Sequence, residues 1–255
     1  MRTSQPSARS LLSGCGLAVS FLTILPVRAD DRRRDGVNGA VVWFPLVGAV
    51  IGALAGAVRV LAQPLLGVSV ASVLALVALV GLTGALHQDG LADAADGLGV
   101  RGDRERRLEV MRDAAVGAFG VLALVGWALL FFTALESLSD VRALRALVAA
   151  AALARWAALL HAASTPPARA DGLGAAFVVA PAPLAIASGL AVGVAGLACG
   201  PLAGLAAIGA ALLTAALSAV WARQALGGRT GDTLGATIAV TEVAVCMALV
   251  AVWQG

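Results

Sequence analysis

The feature that most constrains this chain is the recurrence of apolar stretches about 20 residues long, the length a helix needs to cross the hydrocarbon core of a bilayer. They run at about 39–60, 68–87, 114–136, 143–162, 175–198, 202–222 and 236–253 and predict about seven spans. Of the 255 residues, 60% are hydrophobic and 13% charged, with a mean hydropathy of +0.93, which excludes a soluble domain of ordinary type. Only helices and closed barrels satisfy the backbone within lipid, and spans of this length are helical. The predicted fold class is therefore all-α, a polytopic transmembrane helical bundle. No internal repeat or low-complexity linker divides it, so residues 1–255 read as one integral membrane domain.

All 18 basic residues are arginine, and the net charge of +3 with a pI of about 9.3 reflects where those arginines sit. They gather at 28–36, 88–113, 163–174 and 223–234, while 61–67, 137–142 and 199–201 carry almost none. By the positive-inside rule the first set is cytoplasmic, and alternation through the spans places the C-terminus outside. This balance speaks for membrane orientation rather than nucleic-acid binding. At the N-terminus, Arg2 and Arg9 precede an apolar stretch from Leu11 to Val27, followed by the charged segment Arg28 to Asp35. No small-residue cleavage site stands between them, so the stretch reads as a retained amphipathic or re-entrant segment. Glycines four apart, Gly48, Gly52 and Gly56, and again Gly231 and Gly235, allow close helix packing in lipid. Cys15, Cys199 and Cys246 stand singly in apolar surroundings, as small buried side chains do.

The chemistry concentrates where the second span closes. There the run from His87 to Asp96 places Asp89, Asp93 and Asp96 on one helical face. Three like charges with no neighbouring base call for a counter-ion, and hard carboxylate oxygens suit Mg²⁺. An arginine-rich turn, Arg101 to Arg107, leads to Met111-Arg112-Asp113, where Asp113 adds a candidate ligand and Arg112 a candidate phosphate contact. Arg104, Arg106 and Arg107 read as orientation signals. A third feature, Gly227 to Gly235, is a glycine-rich turn entering the last span. Its Gly228, Arg229, Gly231 and Asp232 are candidate substrate contacts, because backbone N–H groups at a helix start attract anions. A turn with a helix cap from Asp232 or Thr233 explains the same residues without a ligand. Glu242 lies deeper in that span, where an unpaired carboxylate is costly. His87 and His161 fall at span ends, as interfacial histidines do, and His87 is also a candidate contact for metal or substrate.

Through these residues the chain resembles the cobalamin synthase family, the adenosylcobinamide-GDP ribazoletransferases. The resemblance covers nearly the whole chain. It rests on Leu25-Pro26-Val27, His87 to Gly97, Met111-Arg112-Asp113 with Gly117 to Gly120, Arg155-Trp156, Gly172-Leu173-Gly174, and Gly227 to Gly235 with Thr241-Glu242. Gln88 departs from it, since some members are acidic there, which puts a ligand role at that position in doubt. The resemblance implies a multi-pass enzyme of the bacterial cytoplasmic membrane. It implies a Mg²⁺-dependent transfer of the cobinamide phosphate of adenosylcobinamide-GDP to a ribose hydroxyl of α-ribazole or its 5′-phosphate, releasing GMP. The expected site faces the cytoplasm and is built from segments 87–120, 163–174 and 223–242. Asp89, Asp93, Asp96 and Asp113 are assigned to metal, and Asp93 or Asp96 to proton transfer. Arg112 is assigned to catalysis and to substrate, and His87, Gly228, Arg229, Gly231, Asp232 and Glu242 to substrate. Which carboxylate does which is left open, as is whether the protein works as a homo-oligomer or with other cobalamin-assembly enzymes.

Two rivals fit less well. A phosphotransferase using a CDP-linked donor also spaces aspartates along a helix, but needs an Ala-Arg pair where this chain has Ala94-Ala95-Asp96. A transporter would carry its acids near the bilayer midplane in broken or repeated helices.

Overall fold

A computed structural model describes residues 8–27 and 34–254, and the charged residues 28–33 expected next to the first span lie outside it. Ten helices are present among the described residues, here numbered in chain order. They are α1 (Ala8–Leu22), α2 (Arg34–Thr83), α3 (Leu86–Gly99), α4 (Arg104–Val110), α5 (Ala118–Glu136), α6 (Asp140–Ser164), α7 (Leu173–Ala176), α8 (Pro181–Cys199), α9 (Pro201–Leu226) and α10 (Gly231–Gln254). Six of them, α2, α5, α6, α8, α9 and α10, are long and apolar enough to cross a membrane. The all-α polytopic fold expected from the sequence is the one observed.

The apolar part of α2 runs 46 residues, about 69 Å at the helical rise and more than twice the hydrocarbon thickness. It is broken at Gly67, whose φ of 78° belongs to the left-handed region that glycine tolerates. This break falls in the arginine-poor stretch 61–67, where the sequence separates its first two spans. The second arm ends at Thr83, where Gly84 and Ala85 both take positive φ and turn the chain into α3. The expected second span at 68–87 is therefore cut short, and His87 begins a separate short helix.

α6 is the hub, with 78% of its apolar window buried against other helices. Its stretch from Ala149 to Ala154, alanine but for Leu153, is almost wholly enclosed. α2 reaches it through Gly48, Gly52 and Gly56, where an added Cβ would strike Ala151, Leu147 and Leu144. These glycines serve the close packing their spacing predicts, because small residues let backbones gain van der Waals contact that lipid cannot match. α1 packs on α2, burying Ala18 and Leu22. The N-terminal segment is thus part of the bundle.

The two ends of the bundle differ in chemistry. One carries the Gly67 break and the 137–140 turn, where Arg59 meets Asp140 at 2.8 Å. The other carries α3, α4, α7 and the loops at 165–172 and 227–230, tied by arginine. Arg104 donates to the carbonyls of Leu226 and Ala168, and Arg107 to those of Gly97 and Leu98. Both thus satisfy carbonyls at helix ends. Arg106 pairs with Glu109 at 2.6 Å on the surface.

Candidate active site

The site is assembled at the arginine-rich end by the crossing of α3 over the start of α10. Gly90 and Gly235 make that crossing possible. A Cβ on Gly90 would lie 2.8 Å from the Asp232 carbonyl oxygen and 3.2 Å from the Gly235 Cα. With no side chain between them, the aspartate face of α3 comes up against Asp232 at the first turn of α10. Asp89 is exposed and Asp93 half-buried there. Burial raises the Asp93 carboxyl, the negative charges of Asp89, Asp232 and Asp96 raise it further, and Arg169 opposes them, leaving it at about 7. Asp93 is thus held between its two protonation states near neutral pH.

Asp96 sits apart from that arrangement in its bonding. Its carboxylate accepts the backbone N–H of Gly117 at 2.7 Å and of Gly120 at 2.9 Å, capping α5 from a different helix. Gly117 and Gly120 are glycine for a steric reason, since an added Cβ at either would overlap the Asp96 carboxyl group. The four aspartates expected to share a metal are not gathered as a set. Asp113 is exposed and accepts the Ala115 N–H at 3.0 Å within its own loop. Asp232, expected only as a substrate contact, takes its place in the cluster.

The glycine-rich turn is pinned to the 165–172 loop by a short ladder. Arg229 N–H donates to the Pro166 carbonyl and Ala168 N–H to the Arg229 carbonyl, both at 2.8 Å. Gly228 allows the approach, as a Cβ would overlap the Pro166 carbonyl. This pairing brings Arg169 to within 3.2 Å of Asp232. Arg112 in turn holds both oxygens of Asp171 at 3.2 Å. Together Arg112, Arg169, Gly172, Arg229 and Gly231 line a cup of about 270 Å³ beside the aspartates.

Within the cup Arg229 is largely spoken for. It is 5% exposed and its guanidinium donates to the carbonyls of Thr165 and Phe177, so its part is first to hold the loop. Burial lowers its pKa from the ordinary arginine value. Arg112 and Arg169 present the reachable cations. Arg169 and Asp171 were not singled out in the sequence, although Asp171-Gly172-Leu173-Gly174 repeats the Asp96-Gly97-Leu98-Gly99 that ends α3.

One expected substrate contact lies elsewhere. Glu242 does not face the cup; it is 1% exposed and forms an ion pair with the equally buried Arg155 of α6. Burial costs a carboxylate its hydration, and the arginine offsets that cost, so the residue is part of the bundle's interior. His161 lies near the end of its span, as expected, where α6 closes at Ser164. It is fully buried, with Nδ1 2.8 Å from the Thr237 hydroxyl. His87 is also buried, and both its burial and the Arg155 charge hold its imidazole well below the usual range, hence neutral. The three cysteines are free, and Cys246 is fully buried.

Among the described residues no three His, Cys, Asp or Glu side chains close into a ready metal shell. The donor chemistry nonetheless fits Mg²⁺, which is commonly held by one or two carboxylates and completed by water and substrate phosphate. Asp89 and Asp232 are acids from two helices whose charges both reach Asp93.

No solved structure matches the chain. Relatives named adenosylcobinamide-GDP ribazoletransferase match it nearly end to end. That of Bradyrhizobium diazoefficiens is 39% identical over 255 residues, covering 97% of this chain and 96% of the relative. That of Azorhizobium caulinodans is 41% identical, covering 93% and 95%, and that of Klebsiella pneumoniae strain 342 is 40% identical, covering 91% and 97%. The family model described as cobalamin-5-phosphate synthase matches residues 14–250. With the family model spanning nearly the whole chain and relatives about 40% identical matching it nearly end to end, the chain belongs to the cobalamin-5-phosphate synthase family.

Proposed function

We propose that this chain transfers the cobinamide phosphate of adenosylcobinamide-GDP to a ribose hydroxyl of α-ribazole or its 5′-phosphate. GMP leaves, and adenosylcobalamin or its 5′-phosphate forms. The observation that carries the reading is the meeting of the α3 aspartates with Asp232 beside a cup lined by Arg112 and Arg169. Phosphoryl transfer needs this pairing of groups, since the protein's work is to position the reactants and neutralise charge on phosphate oxygens.

Arg112 and Arg169 would receive the diphosphate, exchanging their ion pairs with Asp171 and Asp232 for phosphate oxygens. Asp89 and Asp232 would hold Mg²⁺ with substrate oxygens, and the bound ion would supply further neutralisation of the departing GMP. Asp93 is suited to take the proton of the attacking hydroxyl, because a base titrating near neutrality matches the working pH. The new bond joins the ribose oxygen to the phosphorus on the cobinamide side, and the bond broken is the bridge to GMP. The arginine-rich end would face the cytoplasm by the positive-inside rule, with the bundle in the bacterial inner membrane.

The test is to incubate the purified protein, in detergent or liposomes, with adenosylcobinamide-GDP, α-ribazole 5′-phosphate and Mg²⁺, with EDTA and Asp93→Ala as controls. GMP and a new corrinoid should appear in equal amounts and disappear in both controls. No turnover by well-folded protein would overturn the transferase reading, and full turnover in EDTA would remove the metal from it.

A further inference from the structure

A second cavity adjoins the arginine cup and has a largely apolar lining where the cup is lined by arginine. It measures about 80 Å³ and is lined almost entirely by apolar side chains, with His87, Asp89 and Asp232 as its polar members. One wall is a cluster of three phenylalanines drawn from three separate parts of the chain. Phe21 of α1 stacks on Phe44 of α2 and on Phe177, which follows α7, each at 5.8 Å between ring centroids. Phe44 and Phe177 are 5.5 Å apart. Ala158 of α6 and Ile238 of α10 also line the cavity, and the small side chain of Ala158 helps leave the space open. The slot and the cup share Leu173, Gly231 and Asp232, so they adjoin across the start of α10.

We infer that the phenylalanine-walled slot receives the flat, uncharged heteroaromatic base of the acceptor nucleoside, while the arginine cup receives the diphosphate of the donor. This rests on the transferase reading and adds to it a division of the two substrates between adjoining cavities. The chemistry of the walls makes the choice. Guanine carries several hydrogen-bonding groups along its edges, and burying them against phenylalanine would leave them unpaired at considerable cost. A benzimidazole-type base has no N–H once joined to ribose and gains from stacking on aromatic rings. A base seated in the slot directs its ribose toward the polar members, Asp89 and Asp232, where the transferred phosphate would lie. Phe21 gives α1 a role too, since this N-terminal helix supplies part of the specificity wall.

The experiment measures nucleoside affinity and donor kinetics separately on the full chain in detergent. Equilibrium dialysis with labelled α-ribazole is run on the wild type, on Phe177→Ala, which removes a stacking face, and on Ala158→Phe, which fills the slot. Both variants should bind the nucleoside about tenfold or more weakly, with the KM for adenosylcobinamide-GDP within about twofold of wild type. Should either variant fail to fold, Phe21→Leu and Phe44→Leu keep apolar volume while removing the rings and should show the same separation. Unchanged nucleoside affinity in the folded variants, or a rise confined to the donor KM, overturns the assignment. Absence of GMP release by the wild type instead overturns the transferase reading, and the dialysis still reports on the slot.

Discussion

The Asp96 carboxylate on α3 accepts the Gly117 backbone N–H at 2.7 Å, and through this contact one helix of the site caps the start of another. Asp96 and Asp93 are three residues apart, yet one is committed to backbone N–H groups and the other faces like charges. Their substitutions should therefore separate. Asp96→Ala removes a charged acceptor from buried N–H groups and should destabilise the protein by about 1–3 kcal/mol. Asp93→Asn should not lower thermal stability, since it removes a half-buried carboxyl that faces like charges, and should lower kcat at least about a hundredfold. Thermal unfolding in detergent, set beside turnover, distinguishes them, and Asp113→Asn should keep most of its activity.

The Asp93 carboxyl at about 7 gives the protein a signed pH dependence. Its folded-state pKa lies above the ordinary carboxylate value, so the folded protein binds the extra proton. In metal-free protein this contribution is fully present below the ordinary value of about 4 and is lost as pH rises through about 7. Thermal stability without Mg²⁺ should therefore fall across that window and the slope should flatten in Asp93→Asn. Activity should run the other way, rising as Asp93 ionises, with a midpoint that moves below 7 as Mg²⁺ is increased.

Removing Arg169 should act on two readouts together. Its guanidinium opposes the upward shift of Asp93 and lines the cup. In Arg169→Ala the donor KM should rise about tenfold or more, the cost of one charge-assisted hydrogen bond. The midpoint of the pH–activity profile should move upward. Arg112→Lys should be milder than Arg112→Ala, since it keeps the charge and loses only the planar fork.

Gly90 tests the crossing itself. Gly90→Ala puts a methyl 2.8 Å from the Asp232 carbonyl and should force α3 from α10, lowering activity at least about tenfold. Gly126→Ala, in α5 with open space around it, should be silent. Equal effects of the two would remove the crossing as the cause.

The Arg155–Glu242 pair should behave as buried ion pairs do. Either residue changed to methionine should cost about 3–5 kcal/mol by leaving the other charge unpaired. Changing both to methionine should recover most of that loss. Thermal unfolding of the three variants, analysed as a cycle, measures the coupling.

The bilayer makes one part of this protein plain in its sequence. Lipid demands helices of a minimum length and confines unpaired charge to their ends, so the spans, the glycine ridge of Gly48, Gly52 and Gly56, and the arginine-rich end could be read from order and spacing alone. Helical periodicity likewise placed Asp89, Asp93 and Asp96 on one face. It could not say that Asp96 turns to the α5 backbone while Asp113 stays out and Asp232 comes in, because those outcomes depend on which helix ends meet. The same holds for Glu242, whose partner lies 87 residues away, and for the slot made by Phe21, Phe44 and Phe177. Period and charge act along a single chain and survive in one dimension. The contacts that give each acid its role join residues distant in sequence, and only packing brings them within reach.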